Sequence, residues 1–428
     1  MRLIRVVFTR FVSSSFFASS TIVFAGAFVI NVLNYVFTLI MSRLLGVEPF
    51  GEVNALFSLL LITGVPAGAL SMLMTREVAA LGGERASAVQ GLFIFLQKHV
   101  TLAAGIFWAL FLVLTPMLSN FLHIPILPIL IFSLTVPLSA AGALLTGTLQ
   151  GLQEFFLIGK QGILSACLKL ALSIGFVYAG FAVSGVMAAV VIAQAAAWAY
   201  GFVAMHAILS PMQSTEHSLN GPHLRATFST ILITTFLLAL LSNIDVLLAK
   251  HYLSSFTAGE YAALSTIGKI LLYGVGAFVG VLLPMASAAH ARGQGEEHRL
   301  LFLVLGIIAL STLGACALFS TFPSLFVSIL FGSRYAGIAP QIGIYMLAMG
   351  CIALTGAFIN YFVAVRNTTF VYLLGTGIVA QVILLVYRHA DLADFTRMVL
   401  YSSIILFVAM VGNYLHLRRS LNAHLARI

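Results

Sequence analysis

Two lysines and one aspartate sit where an apolar chain tolerates charge least. Lys169, Lys269 and Asp245 all fall inside long hydrophobic runs. An ionised group at the centre of a bilayer costs at least ~2.5–3.5 kcal/mol, so such residues are rare and tend to mark ion pairs or substrate paths. An ammonium group holds anions, and a carboxylate holds a proton, Na+ or a lysine. Lys169 lies about 7 residues, roughly 10 Å, from the near end of its run. It either snorkels to the interface or lines a polar path. Lys269, in "STIGKILLYG", lies about 8 residues deep, which favours a cavity or a buried partner. Asp245, beside Ser242 and Asn243, has two readings: a structural tie to Lys269, or a site for a proton or a sodium ion. Asn31 and Asn34 are three apart and share one helix face. Their amides are expected either to face a polar cavity or to bridge helices. Arg43 is placed at the mouth of a run, as a phosphate contact or an interfacial anchor.

The elements that position these groups follow from composition. Of 428 residues 61% are hydrophobic and 8% charged, with a mean hydropathy of +1.09. That excludes a soluble globular fold. The apolar runs are about 18–25 residues long and continuous, which predicts membrane-spanning helices and excludes a β-barrel. Twelve runs are predicted, at about 19–41, 52–74, 99–119, 127–149, 162–182, 184–207, 227–249, 261–286, 300–321, 338–362, 369–387 and 398–416. The expected fold is therefore an all-α polytopic membrane protein of two six-helix lobes around a central cavity. The N-terminal lobe is placed at 1–210, a cytoplasmic linker at 211–226 and the C-terminal lobe at 227–428. A basic segment carrying Arg2, Arg5 and Arg10 precedes the first span.

Lys and Arg in the loops orient the chain. With a cytoplasmic N-terminus, fourteen cations fall on the inner side, while the outer side holds Arg43, Lys250, Arg334, Arg388 and Arg397. The bias predicts a multi-pass protein of the cell membrane with both termini cytoplasmic. It also accounts for the net charge of +9 through anionic lipid, without a nucleic-acid partner. Cys167, Cys316 and Cys351 lie in apolar runs without CxxC spacing, and the histidines form no HExxH pair, so no metal or cofactor is expected. An enzyme of the glycosyltransferase or polymerase type needs carboxylates or histidines on sizeable loops. No loop here exceeds about 20 residues, and the acidic residues form no convincing pair.

The two halves echo each other. Gly51-Glu52 and Gly259-Glu260 each lead into a similar run, and Gly64-Val65-Pro66-Ala67 corresponds to Gly274-Val275-Gly276-Ala277. A polar glycine-bearing segment follows each, at Gly82-Gly83 and at Gly293 and Gly295. Such spacing suggests parallel repeats related by an axis along the membrane normal. The stretch "SRLLGVEPFGEVNAL" (42–56) reads as a turn between spans 1 and 2, reversed by Gly46, Pro49 and Gly51. GxxxG spacings at Gly64/Gly68, Gly147/Gly151 and Gly276/Gly280 mark candidate close helix contacts.

"MSRLLGVEPFGEVNALFSLLL" resembles the signature after the first helix of the polysaccharide (O-antigen type) flippases, within the multidrug/oligosaccharidyl-lipid/polysaccharide exporter superfamily. "TGTLQGLQEF" (146–155) is similar to that family's loop after span 4, and "NIDVLLAKHYLSSFTAGEYAAL" (243–264) to the start of its second half. "HYLSSFTAGEY" departs from the glycine-rich turn of relatives. The resemblance implies a flippase that moves a polyprenyl-pyrophosphate-linked oligosaccharide from the cytoplasmic to the outer leaflet by alternating access. In that setting Lys169, Lys269, Arg43, Asn31 and Asn34 become substrate contacts, and Asp245 a site for H+ or Na+. The implied partners are the lipid-linked substrate and membrane lipids, and the protein is expected as a monomer. The rival reading is a cation-coupled multidrug or small-molecule exporter of the same superfamily. One intramembrane acid against two cations tilts toward an anionic substrate. Twelve spans tilt away from the fourteen-span lipid II branch.

Overall fold

A computed structural model describes residues 14–81, 86–209, 221–292 and 296–425. Arg2, Arg5, Arg10, Arg85 and Arg427, the paired glycines 82–83, Gly293 and Gly295, and the linker segment 211–220 lie outside the described residues.

Among the described residues there is no strand. The chain forms α1 (Ser14–Leu45), α2 (Val47–Thr63), α3 (Val65–Leu81), α4 (Ala86–Leu122), α5 (Ile126–Ser133), α6 (Thr135–Gly151), α7 (Phe155–Tyr178) and α8 (Ala182–Leu209). It continues with α9 (Gly221–Tyr252), α10 (Ser255–Arg292), α11 (Glu296–Thr321), α12 (Pro323–Leu330), a 3-10 helix (Ser333–Gln341), α13 (Ile342–Ala364), α14 (Thr369–Tyr387) and α15 (Leu392–Leu425). Among the described residues, eleven helices are long and apolar enough to cross a membrane. The α2–α3 pair, bent by 41° at Gly64, makes a twelfth. Backbone groups in hydrocarbon have no water to bond, so continuous helices are the form such runs must take. Outward side chains follow the same logic: Val113 is 75% and Leu310 74% exposed, on faces suited to lipid.

The chain divides into two compact units. The first takes the chain through Leu45 and again from Leu59 to Phe236; the second takes Gly46–Ser58 and Leu237 to the end. In the first unit, Leu70, Met74 and Val78 of α3 pack with Val89, Leu92 and Phe93 of α4 and Leu144, Leu145 and Leu149 of α6. Gly147 and Gly151 permit this approach. A Cβ on Gly147 would lie 2.6 Å from the Ser71 carbonyl, and one on Gly151 would lie 2.6 Å from Val78 Cβ. That GxxxG pair is a close contact. Gly68, Gly276 and Gly280 have nothing within 4 Å, so two of the three expected glycine contacts are not formed there.

The second unit holds the segment 46–58 by aromatic packing. Phe50 lies 6.0 Å from the Phe331 ring and 6.1 Å from that of Tyr335. Tyr335 Oη donates to the Gly46 carbonyl at 3.3 Å. The turn expected over 42–56 shrinks to one residue: α1 runs to Leu45, Gly46 takes φ +83°, and α2 starts at Val47. Pro49 therefore sits in the first turn of α2, where a missing N–H costs nothing. Gly51 does not reverse the chain. It packs on its repeat counterpart, since a Cβ there would lie 2.9 Å from Gly259 Cα, and a Cβ on Gly259 would collide with the Val47 carbonyl. The two Gly-Glu motifs that echo in the sequence thus meet at one backbone crossing.

Candidate functional site

In the first unit, α7 brings Lys169 to α1. Its Nζ donates to Asn34 Oδ1 at 2.6 Å and lies 4.4 Å from the centroid of Phe37, a cation–π contact. Phe37 is 2% exposed, so the ammonium is steadied against an interior ring. The helical period sets this up, since Asn34 and Phe37 are three apart on α1 and present one face to α7. Asn31, one turn earlier, is exposed, as is Arg43 in the last turn of α1.

In the second unit, the analogous cation is Lys269 on α10, whose Nζ donates to Asn243 Oδ1 on α9 at 3.0 Å. Among the described residues Lys269 makes no ion pair. The expected Lys269–Asp245 tie is therefore not a direct bond; the lysine is held two residues away, by Asn243. Asp245 is 1% exposed and takes two tyrosine hydroxyls on one oxygen. Tyr261 Oη donates to Oδ2 at 2.6 Å and Tyr345 Oη at 2.9 Å. Its other oxygen, Oδ1, has no hydrogen-bond partner. Tyr261 and Tyr345 are themselves fully buried, with rings perpendicular at 5.7 Å. Gly268 clears the way for Tyr345, since a Cβ there would occupy the tyrosine ring. Near this tie, Asn54 donates to Thr266 at 3.2 Å, joining α2 to α10.

Lys250 behaves unlike its expected place in an outer loop. It lies in the last turn of α9, is 2% exposed, and its Nζ has no hydrogen-bond partner. Glu52 and Glu48 of α2 bear on it electrostatically. It is a buried cation and not a lipid-facing one.

Sequence reasoning misses Tyr261, Tyr345 and the role of Asn243. Tyrosine in an apolar run is the signal that was present, because a buried hydroxyl requires a partner. Which partner it finds depends on helix packing. Among the described residues, hollows lie within single units. One, of about 540 Å³ in the first unit, is mostly apolar with Gln97 and Thr101 on its wall. Another, of about 400 Å³ in the second, is lined by Ser254, Thr257, Glu260 and Asp391.

The family model for "Polysaccharide biosynthesis protein" matches residues 40–340. Among solved structures, the chain is similar to a single-residue mutant of VcmN, a MATE transporter of Vibrio cholerae. The TM-score is 0.66 at 16% identity, covering 95% of this chain and 99% of that one. It is also similar to the lipid II flippase MurJ in an inward closed conformation, with a TM-score of 0.68 at 13% identity over 92% of this chain and 87% of that one. A MATE transporter in the bent conformation gives 0.61 at 12% identity over 94% and 97%. No curated protein sequence matches. At these identities the structural likeness establishes the fold, an all-helical MATE-like membrane architecture.

Proposed function

The chain belongs to the polysaccharide biosynthesis protein family, and we propose that within it this protein is a flippase for a polyprenyl-pyrophosphate-linked oligosaccharide. It works in the cell membrane by alternating access, with both termini cytoplasmic. It moves its substrate from the cytoplasmic to the outer leaflet and performs no covalent chemistry. The observation that carries this reading is that each unit holds a lysine inside a span on a neutral amide oxygen: Lys169 on Asn34, Lys269 on Asn243. An amide positions an ammonium group by a hydrogen bond and adds no charge of its own; at Lys269 the Asp245 carboxylate also bears electrostatically. A fixed positive charge within the membrane is what a pyrophosphate headgroup needs in order to leave water. Arg43 and Asn31, both exposed, add phosphate and sugar contacts along the path. Asp245 serves first as a helix tie, and its unpartnered Oδ1 is the atom that would take H+ or Na+ if transport is ion-coupled. A multidrug exporter of cationic compounds would need an accessible carboxylate. Asp245, closed in by two tyrosines, does not supply one.

The test is complementation of a flippase-deficient strain with Lys169→Ala and Lys269→Ala, with membrane protein levels measured in parallel. Loss of surface polysaccharide at normal protein level is the expected result for both. Normal polysaccharide from both variants would overturn the reading.

A further inference from the structure

At one end of the second unit, the first turn of α11 places two titratable residues side by side, and neither belongs to the transport site described above. Glu297 is 8% exposed, and its Oε2 has no hydrogen-bond partner. Its Oε1 lies 3.4 Å from His290 Nδ1 of α10, whose side chain is 45% exposed. His298 Nδ1 faces two buried hydroxyls from two other helices, Tyr361 Oη of α13 at 3.0 Å and Tyr414 Oη of α15 at 3.3 Å. Tyr361 and Tyr414 are 1% and 3% exposed. Arg418, one turn beyond Tyr414 on α15, and Glu297 both bear electrostatically on that tyrosine. Glu297 bears on Tyr361 as well. Arg292, the remaining cation at the end of α10, is engaged with Glu296 at 3.4 Å.

This arrangement has two hydrogen-bond polarities. With Nδ1 unprotonated, its single lone pair is shared by both tyrosine O–H groups. With Nδ1 protonated, N–H must donate to a tyrosine oxygen, and that hydroxyl turns its hydrogen away from the ring nitrogen. Glu297, buried with its Oε2 unpartnered, is the anion that bears on both tyrosines electrostatically. A buried carboxylate short of hydrogen bonds also favours a positive charge next to it. Imidazole is the side chain whose charge changes in the physiological range.

We propose that Glu297, His298, Tyr361 and Tyr414 form a proton-binding site at which uptake of one proton on His298 Nδ1 reverses its hydrogen bond with a tyrosine hydroxyl, with Glu297 as the buried anion that favours the charged ring. No bond other than N–H forms, and no proton is released in the step. The site joins α11 to α13 and α15, so its protonation changes how those three helix ends are held. On the orientation proposed above this is the cytoplasmic end. A role in driving transport rests on the flippase reading; the proton site itself does not.

His298 is the only histidine followed by arginine in the chain. Pair labelling with ¹³C-labelled histidine and ¹⁵N-arginine therefore identifies it without a variant. The experiment is a pH titration by solid-state NMR of the whole protein in phosphatidylglycerol-containing vesicles, reading the His298 ring signals between about pH 5 and 8. We expect a titration whose midpoint falls by about one pH unit in Glu297→Gln, because an anion that favours the charged ring is lost. It should rise by a smaller step in Arg418→Gln, because a cation that opposes it is lost. Arg418 is exposed, so that second variant is read even if Glu297→Gln fails to fold. Absence of a His298 titration, or midpoints unmoved by whichever of these variants fold, overturns the proposal. Complementation by the same variants separates the two ideas. A moving midpoint with no flippase activity in the unmodified protein would sink the transport reading alone. An unmoved midpoint with full activity would sink the proton site alone.

Discussion

The tie between Asp245 and its two tyrosines can be taken apart one hydroxyl at a time. Tyr261→Phe and Tyr345→Phe each remove one donor to Oδ2 and leave the ring in place. The rings lie 5.7 Å apart, and Tyr261 packs 5.0 Å from Phe395, so lost packing is small. A hydrogen bond to a charged acceptor contributes about 1.5–3 kcal/mol, and each single variant should lose that much. The double variant should lose more than the sum, because it leaves a buried carboxylate with no partner on either oxygen. Stranding a buried charge costs about 3–5 kcal/mol or more. Asp245→Asn in the double-variant background then restores part of the loss, because the stranded charge is gone. The assay is reversible unfolding or thermal inactivation in detergent, read by fluorescence-detected size exclusion for the unmodified protein and each variant. If the double variant lies within about 0.5 kcal/mol of the better single variant, the tyrosines do not hold Asp245 and the argument fails. If Asp245→Asn alone leaves stability unchanged and stops transport, the ion-coupling role outweighs the tie.

Other consequences are more local. Gly259→Ala should destabilise by about 1–3 kcal/mol, because its Cβ meets the Val47 backbone, which has no rotamer to move. Gly276→Ala, with nothing within 4 Å, should stay within about 0.5 kcal/mol, and the same thermal assay reads both. Gly46→Ala forces a left-handed φ on a residue with a Cβ and should cost about 1–2 kcal/mol, seen as lower yield of folded protein after heating. A double-mutant cycle of Asn34→Ala and Lys169→Met should show coupling of about 1 kcal/mol or more. Additive effects would mean that the 2.6 Å contact does not act in solution.

Much of this molecule is legible in one dimension. Continuous apolar runs predict helices because hydrocarbon offers the backbone no other partner, and α4, α7 and α13–α15 stand close to where those runs fall. Lys169, Asp245 and Lys269 are conspicuous for the same reason: charge is rare in such runs. The echo of Gly51-Glu52 in Gly259-Glu260 is also visible, but its meaning is not. Periodicity cannot show that two repeat elements meet at a crossing so tight that only glycine fits. The turn around Gly46 is overextended in the sequence because Pro and Gly read as breakers wherever they stand. A proline in the first turn of a helix, however, breaks no bond.

What the sequence determined by itself is the class of the protein and the identity of its buried charges, because both follow from the free energy of moving groups out of water. What only the tertiary structure decided is the partner each charge finds. Asp245 reaches Tyr261 sixteen residues away and Tyr345 a hundred away, and Lys169 reaches Asn34 across 135 residues. Lys250 is buried where a surface cation is expected. Hydrogen bonds act over about 3 Å, so such pairings depend on the packing of helices distant in the chain, which no local pattern records.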